Sequence, residues 1–163
     1  RIVLGQGGQF NKIDKCGFDP RLSRHLKLMP MLAHALYLNT CFNIPTRDKK
    51  IEELVEYIQS SNLKFDSLVV TGISGLVIGS ILSYKINKNL CVVRKSRKTH
   101  SLLKVESGKD TIDSYLIIDD IMDSGKTVRS IIKELRKAER ISGFKRCIGG
   151  IFYDQEIELK ALE

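Results

Sequence analysis

The sequence predicts an α/β protein built on an open, largely parallel sheet flanked by helices. Three observations lead there. Four short apolar runs, at 67–71, 90–93, 115–119 and 147–152, are rich in β-branched residues and too short to be helices. Two other segments place apolar residues at i, i+3, i+4 and i+7: Ile51, Leu54, Val55 and Ile58, then Val128, Ile131, Ile132 and Leu135. From residue 67 onward the order is strand, helix, strand, loop, strand, helix, strand, which suits parallel strands joined by crossovers.

Residues 1–47 open irregularly on "GQGGQ", turn apolar from Leu26 to Phe42, and close on Pro45. One helix is expected there, about Pro30 to Leu38, entered through a proline that a helix start tolerates. Regular patterning begins after Thr46, which divides the chain into 1–47 and a core of 48–163, most simply one domain overall. Asp48 is the expected cap of the helix that carries Ile51 to Ile58. The strand "SLVVT" runs through "GISG" into a helix over about Leu76 to Ile86, and "LCVV" follows as the next strand. Segment 94–112 is polar and basic, with Gly108 inside it, and reads as a long loop or a hairpin. "YLIID" at 115–119 is a buried strand, a helix starts around Thr127, and "CIGGIF" at 147–152 closes the series.

With 163 residues, 42% of them hydrophobic and 28% charged, the chain has the composition of a soluble globular domain that can bury a core without disulfides or a structural metal. No apolar run reaches the roughly 20 residues that cross a bilayer, and no leader with a cleavage site is visible, so no membrane partner and a cytoplasmic location are expected. Because the chain opens on Arg1 and not Met, its native N-terminus is expected to have been trimmed or left out. Cys16, Cys41, Cys91 and Cys147 show no C-x-x-C spacing, and His25, His34 and His100 show no ligand spacing with them, which argues against a zinc or redox site. Cys91 and Cys147 lie inside apolar runs and read as small core residues. The net charge of +8, from 27 Lys and Arg against 19 acids, suits an anionic partner, and its densest cluster is Arg94, Lys95, Arg97 and Lys98.

The chemistry concentrates in "LIIDDIMDSGKT", 116–127. A nucleotide P-loop would need glycine five positions before Gly125, and Asp120 stands there, where its charge would repel phosphates. A strand-to-helix turn still binds a phosphate monoester through the unpaired first amides of the helix. Asp123, Ser124, Gly125, Lys126 and Thr127 form such a turn, with Gly125 permitting close approach and Ser124 and Thr127 adding hydroxyl donors. Asp119 and Asp120 before it need a ligand with donors, and the vicinal hydroxyls of a sugar supply them. A ribose 5-phosphate offers both features. "VVTGISG" makes a second strand-to-helix turn, Thr71, Gly72, Ile73, Ser74 and Gly75, whose amides would face the same crevice beyond the strand ends.

"LIIDDIMDSGKT" resembles the binding motif for phosphoribosyl pyrophosphate (PRPP) in type I phosphoribosyltransferases, strongly over 115–132 and more loosely over 66–152. The resemblance implies that Asp119 and Asp120 bind the ribose hydroxyls, in part through Mg2+, and that Asp123 to Thr127 wrap the 5′-phosphate. It makes Thr71 to Gly75 the pyrophosphate loop, and 1–47 a hood over the base. Asp123 is then either an acid that approaches the base nitrogen as general base or a cap of the following helix. Arg94 and Lys95 match the cations of a mobile loop that stabilises the leaving pyrophosphate, with Lys98 and His100 further candidates. Tyr153 and Asp154 either touch the base or form a polar chain exit. The function implied is transfer of ribose 5-phosphate from PRPP to a nucleobase nitrogen, the base a purine or orotate, by a homodimer. The alternative is a PRPP-sensing regulator of the same fold that binds nucleic acid through basic residues.

Overall fold

A short helix, α1 (Asn39–Phe42), leads into α2 (Ile44–Ser60) in the computed structural model, which describes residues 38–96, 104–142 and 144–162. The expected helix at Pro30–Leu38 and most of the segment 1–47 lie outside the described residues, as do Lys98 and His100. The cap of α2 is Asn43 and not Asp48: the Asn43 side chain accepts from Thr46 N at 3.2 Å, and Pro45 sits in the first turn. An asparagine two residues before a proline satisfies an orphan donor while proline supplies helical φ, so the combination outcompetes the acid five residues beyond Asn43. Asp48 instead pairs with Arg47 at 3.2 Å.

From there the chain runs through β1 (Ser67–Thr71), α3 (Gly72–Lys85), β2 (Asn89–Val93), β3 (Val105–Ser107), β4 (Ile112–Asp119), α4 (Lys126–Ser142) and β5 (Phe144–Phe152). The five strands lie in the order β3-β2-β1-β4-β5, with β1 pairing parallel to β2 and β4, and β5 parallel to β4. Only β3 is antiparallel, folding back on β2. Within 94–112, residues 105–107 pair back on β2 as the hairpin reading expects, while 97–103 lie outside the described residues. The helix after β1 starts at Gly72 and not near Leu76, so "GISG" is its first turn.

Alternation along the strands divides the core. Leu68, Val70, Leu116 and Ile118 face α2 and α3 in one cluster, while Val69, Tyr115 and Ile117 face Val128, Ile131 and Leu135 of α4 in the other. Covered on both faces, β1 is buried at every position, which is why it reads as a continuous apolar run. Cys91 is fully buried, and its thiol is pushed up to about 12 by burial, whereas Cys147 is half-buried. Among the described residues no helix is long and apolar enough to cross a membrane.

Close packing of α3 on β1 depends on Gly79, where a Cβ would collide with Val70 Cγ1. Gly79→Ala gains about 1 kcal/mol of helix propensity but overpacks the core at a cost of about 1–3 kcal/mol. Urea unfolding is expected to show a net loss of about 1 kcal/mol with an unchanged m-value.

Candidate active site

Strand order fixes where a ligand can sit. The chain leaves β1 toward β2 on one side and returns on the other as β4, so the crevice opens at the carboxyl ends of β1 and β4. Thr71 ends β1 and Asp119 ends β4, which brings the two turns singled out in the sequence to the same place.

Asp119 and Asp120 are 5% and 3% exposed. Burial, and then the neighbouring Asp120 charge, push the Asp119 carboxyl up to about 7, with Lys95 opposing the rise. One oxygen of Asp120 accepts from Ile121 N at 2.9 Å, but its buried Oδ2 has no hydrogen-bond partner among the described residues. A buried carboxylate oxygen left unpaired is costly, and a ligand donor or cation relieves it.

Gly75 brings the first turn of α3 against these acids. A Cβ there would stand 3.4 Å from Ile118 O and 3.6 Å from Asp119 Oδ1. Gly72 has φ +67, a conformation costly for other residues, and Lys95 Nζ lies 3.4 Å from where its Cβ would be. Lys95 thus sits over the first turn of α3 and within electrostatic reach of Asp119. Arg94 is placed differently: mostly buried, its Nε meets Glu106 of β3 at 3.2 Å and braces the hairpin. The Thr71 hydroxyl donates to Val93 O at 2.7 Å, which ties β1 to β2, and Ser74 is buried while Ile73 is exposed.

The turn after β4 forms a cup of about 310 Å³, lined by consecutive residues from Ile121 to Val128. Asp123, Ser124, Lys126 and Thr127 are exposed in it. Gly125 has φ +66 and stands directly before α4, so Asp123 is not the residue preceding the helix. A second cavity of about 310 Å³ shares Lys126 and Thr127 with this cup and is also lined by Thr71, Arg94 and Lys95. The three predicted loops therefore converge.

Two residues escaped the sequence reading. Arg129 donates through Nη2 to Ser124 O at 2.6 Å and places Nη1 3.1 Å from where a Gly125 Cβ would be, so a cation stands beside the backbone of the cup. Its position one turn into α4 was the available signal. Gln155 is the other, its side-chain amide bonded to both backbone polar groups of Met122. Tyr153, offered as a base contact, is fully buried with its hydroxyl 3.1 Å from Cys41 Sγ, whereas Asp154 is exposed.

Whether the acids suit a divalent cation follows from the donor set. No group of three or more His, Cys, Asp or Glu that could hold a metal occurs among the described residues. Two carboxylates, one with an unpartnered oxygen, fit Mg2+ only if ligand or water oxygens complete its shell.

Residues 40–141 match the phosphoribosyl transferase domain family. The chain is 32% identical over 127 residues to the adenine phosphoribosyltransferase of Brachyspira hyodysenteriae, covering 69% of each chain. It is 29% identical over 93 residues to the orotate phosphoribosyltransferase of Pyrobaculum calidifontis, covering 53% of this chain and 48% of that relative. The fold matches that of Leishmania donovani UMP synthase with a TM-score of 0.59 at 20% identity, over 71% of this chain and 24% of that one. The chain spans about half the length of the orotate relative it matches. From the acid pair, the converging turns and these matches together, the chain belongs to the phosphoribosyl transferase domain family.

Proposed function

We propose that this chain transfers the ribose 5-phosphate of PRPP to a ring nitrogen of a nucleobase and releases pyrophosphate. The observation that carries the reading is the buried acid pair with its unpartnered Asp120 Oδ2, set between a phosphate-sized cup and the amides that open α3. In this reading the cup, Ser124 to Thr127 with Arg129, holds the 5′-phosphate. Asp119 and Asp120 orient the ribose hydroxyls, and Thr71 to Gly75 receive the pyrophosphate on free helix amides. Asp119 and Asp120 would hold Mg2+ together with ligand oxygens, and the ion would neutralise charge on the pyrophosphate.

The C1–oxygen bond to pyrophosphate breaks as the C1–nitrogen bond forms, and the nitrogen gives up its proton. Lys95, above Gly72, is placed to offset charge developing on the leaving group. Asp123, exposed in the cup and without a hydrogen bond among the described residues, is the base offered for the proton. The acceptor is a purine, with orotate the second candidate; adenine and orotate are the bases named for the two relatives. A homodimer belongs to this reading, and exposed Ile73, Leu76 and Tyr84 on α3 offer apolar surface for it. The test is pyrophosphate release from PRPP and Mg2+ with adenine, hypoxanthine, guanine, xanthine, uracil and orotate supplied singly. Release with one base identifies the substrate; none with any base rejects the transferase reading.

Gly125→Val is expected to abolish binding of the 5′-phosphate end, because a branched side chain fits neither φ +66 nor the space beside Arg129. Calorimetric titration with ribose 5-phosphate checks it, and normal affinity would remove the cup from the site.

A second reading, a PRPP-sensing regulator that binds nucleic acid, is favoured by one feature of α4. Arg129, Lys133 and Arg136 lie at i, i+4 and i+7 on one exposed stripe, with no carboxylate partner among the described residues. Binding of RNA or DNA that weakens steeply with salt, together with PRPP binding and no base-dependent release, would select it.

A further inference from the structure

We propose that Gln155 is a positioning residue whose side-chain amide holds the loop between the acid pair and the phosphate cup in its ligand-binding shape, a role that rests on the reading above. Three consecutive residues beyond β5 secure the segment that leaves β4. Tyr153 N donates to Asp119 O at 3.1 Å and Asp154 N donates to Asp120 O at 2.9 Å, which ties the chain beyond β5 to the end of β4. The backbone then turns away, since Gln155 N donates to Phe152 O at 3.0 Å. At that point the side chain continues what the main chain has left. Gln155 Oε1 accepts from Met122 N at 3.4 Å, and Gln155 Nε2 donates to Met122 O at 3.2 Å.

One primary amide thus satisfies both backbone polar groups of one loop residue, as another rung of the sheet would. Only a side chain with a donor and an acceptor on one planar end does this, and asparagine is a methylene too short from the same backbone position. The placement matters because Met122 lies midway between Asp120 and Ser124. With Asp120 held by Asp154, and Ser124 by Arg129, the clasp on Met122 sets the span between the acids and the cup. No other side chain among the described residues bonds to the Met122 backbone. A sugar phosphate that must touch both ends at once is sensitive to that span, and loosening it costs orientation.

Gln155→Met keeps length and volume but loses both bonds, and Gln155→Glu keeps only the acceptor for Met122 N. The full chain and both variants are compared by amide hydrogen exchange without ligand, by thermal unfolding, and by calorimetric titration with PRPP and Mg2+. In Gln155→Met, exchange at the Met122 amide is expected to quicken about tenfold or more while β4 amides keep their protection. PRPP affinity is expected to fall about tenfold, or about 1.4 kcal/mol, with little change in melting temperature. Gln155→Glu is expected to recover protection at Met122 N but not full affinity. Unchanged loop exchange in Gln155→Met overturns the clasp, and faster exchange with unchanged PRPP affinity overturns its positioning role. If the unsubstituted chain binds no PRPP, the transferase reading and the ligand-positioning role fall together, and the exchange result still decides whether the clasp orders the loop.

Discussion

Replacing both acids, Asp119→Asn with Asp120→Asn, is expected to weaken PRPP binding about 100-fold or more and to raise the melting temperature of the ligand-free chain at pH 8. The two effects have one cause. Two carboxylates almost fully withdrawn from water, one with an unpartnered oxygen, are arranged for a ligand and not for the stability of the chain alone. Hydrogen bonds to charged groups contribute about 1.5–3 kcal/mol each, so losing the charge of both acceptors reaches the stated loss of affinity. On the stability side, burial and Asp120 raise the Asp119 carboxyl to about 7 in the folded chain, against about 3.9 when unfolded. The folded state therefore binds the proton more tightly. Its contribution is fully present below about pH 4 and is lost as the pH rises through about 7, so the ionised acid pair costs the ligand-free chain stability at pH 8. Thermal unfolding at pH 4 and pH 8 separates the cases: the double variant should gain several degrees at pH 8 and little at pH 4. Equal shifts at both values would mean that the acids are not strained by each other and by burial.

How much of this was legible in sequence depended on the range of the interaction. The four main strands and the two striped helices were visible because burial imposes a period on the chain, and Leu54, Ile58, Ile131 and Leu135 are buried as their spacing predicts. The acid pair and the glycine turns were visible because their residue types are costly unless used. Local competition was less legible. Asn43 and Asp48 are both plausible caps, and only the position of Pro45 decides between them. The edge strand β3 is three residues long and barely buried, so it exists through pairing with β2 and leaves little pattern of its own. Long-range side-chain placement was not legible at all. Arg94 and Lys95 are neighbours of similar chemistry at a strand end, where successive side chains diverge, and this sends one toward Glu106 and the other over Gly72. Gln155 lies 33 residues beyond Met122, and no spacing rule connects them.

That divergence gives Lys95 and Arg94 opposite expected phenotypes. Lys95→Ala is expected to lower the rate of pyrophosphate release about 10²- to 10³-fold while PRPP affinity changes much less. The ammonium lies against the turn that would receive the departing pyrophosphate, where charge grows as the bond to C1 breaks. A preorganised donor aimed at charge that develops only in the transition state acts on kcat more than on binding. Removing Lys95 also removes the charge that opposes the rise of the Asp119 pKa, so that carboxyl should titrate still higher and ligand binding should need a higher pH. Arg94→Ala, by contrast, breaks the brace to Glu106 and should appear mainly as a lower melting temperature. Single-turnover rates, PRPP titrations across pH and thermal unfolding of the two variants test the pair together. A rate loss for Arg94→Ala as large as that for Lys95→Ala would show that the hairpin carries both cations into the site during turnover, and equal rates for Lys95→Ala and the parent would remove Lys95 from the chemistry.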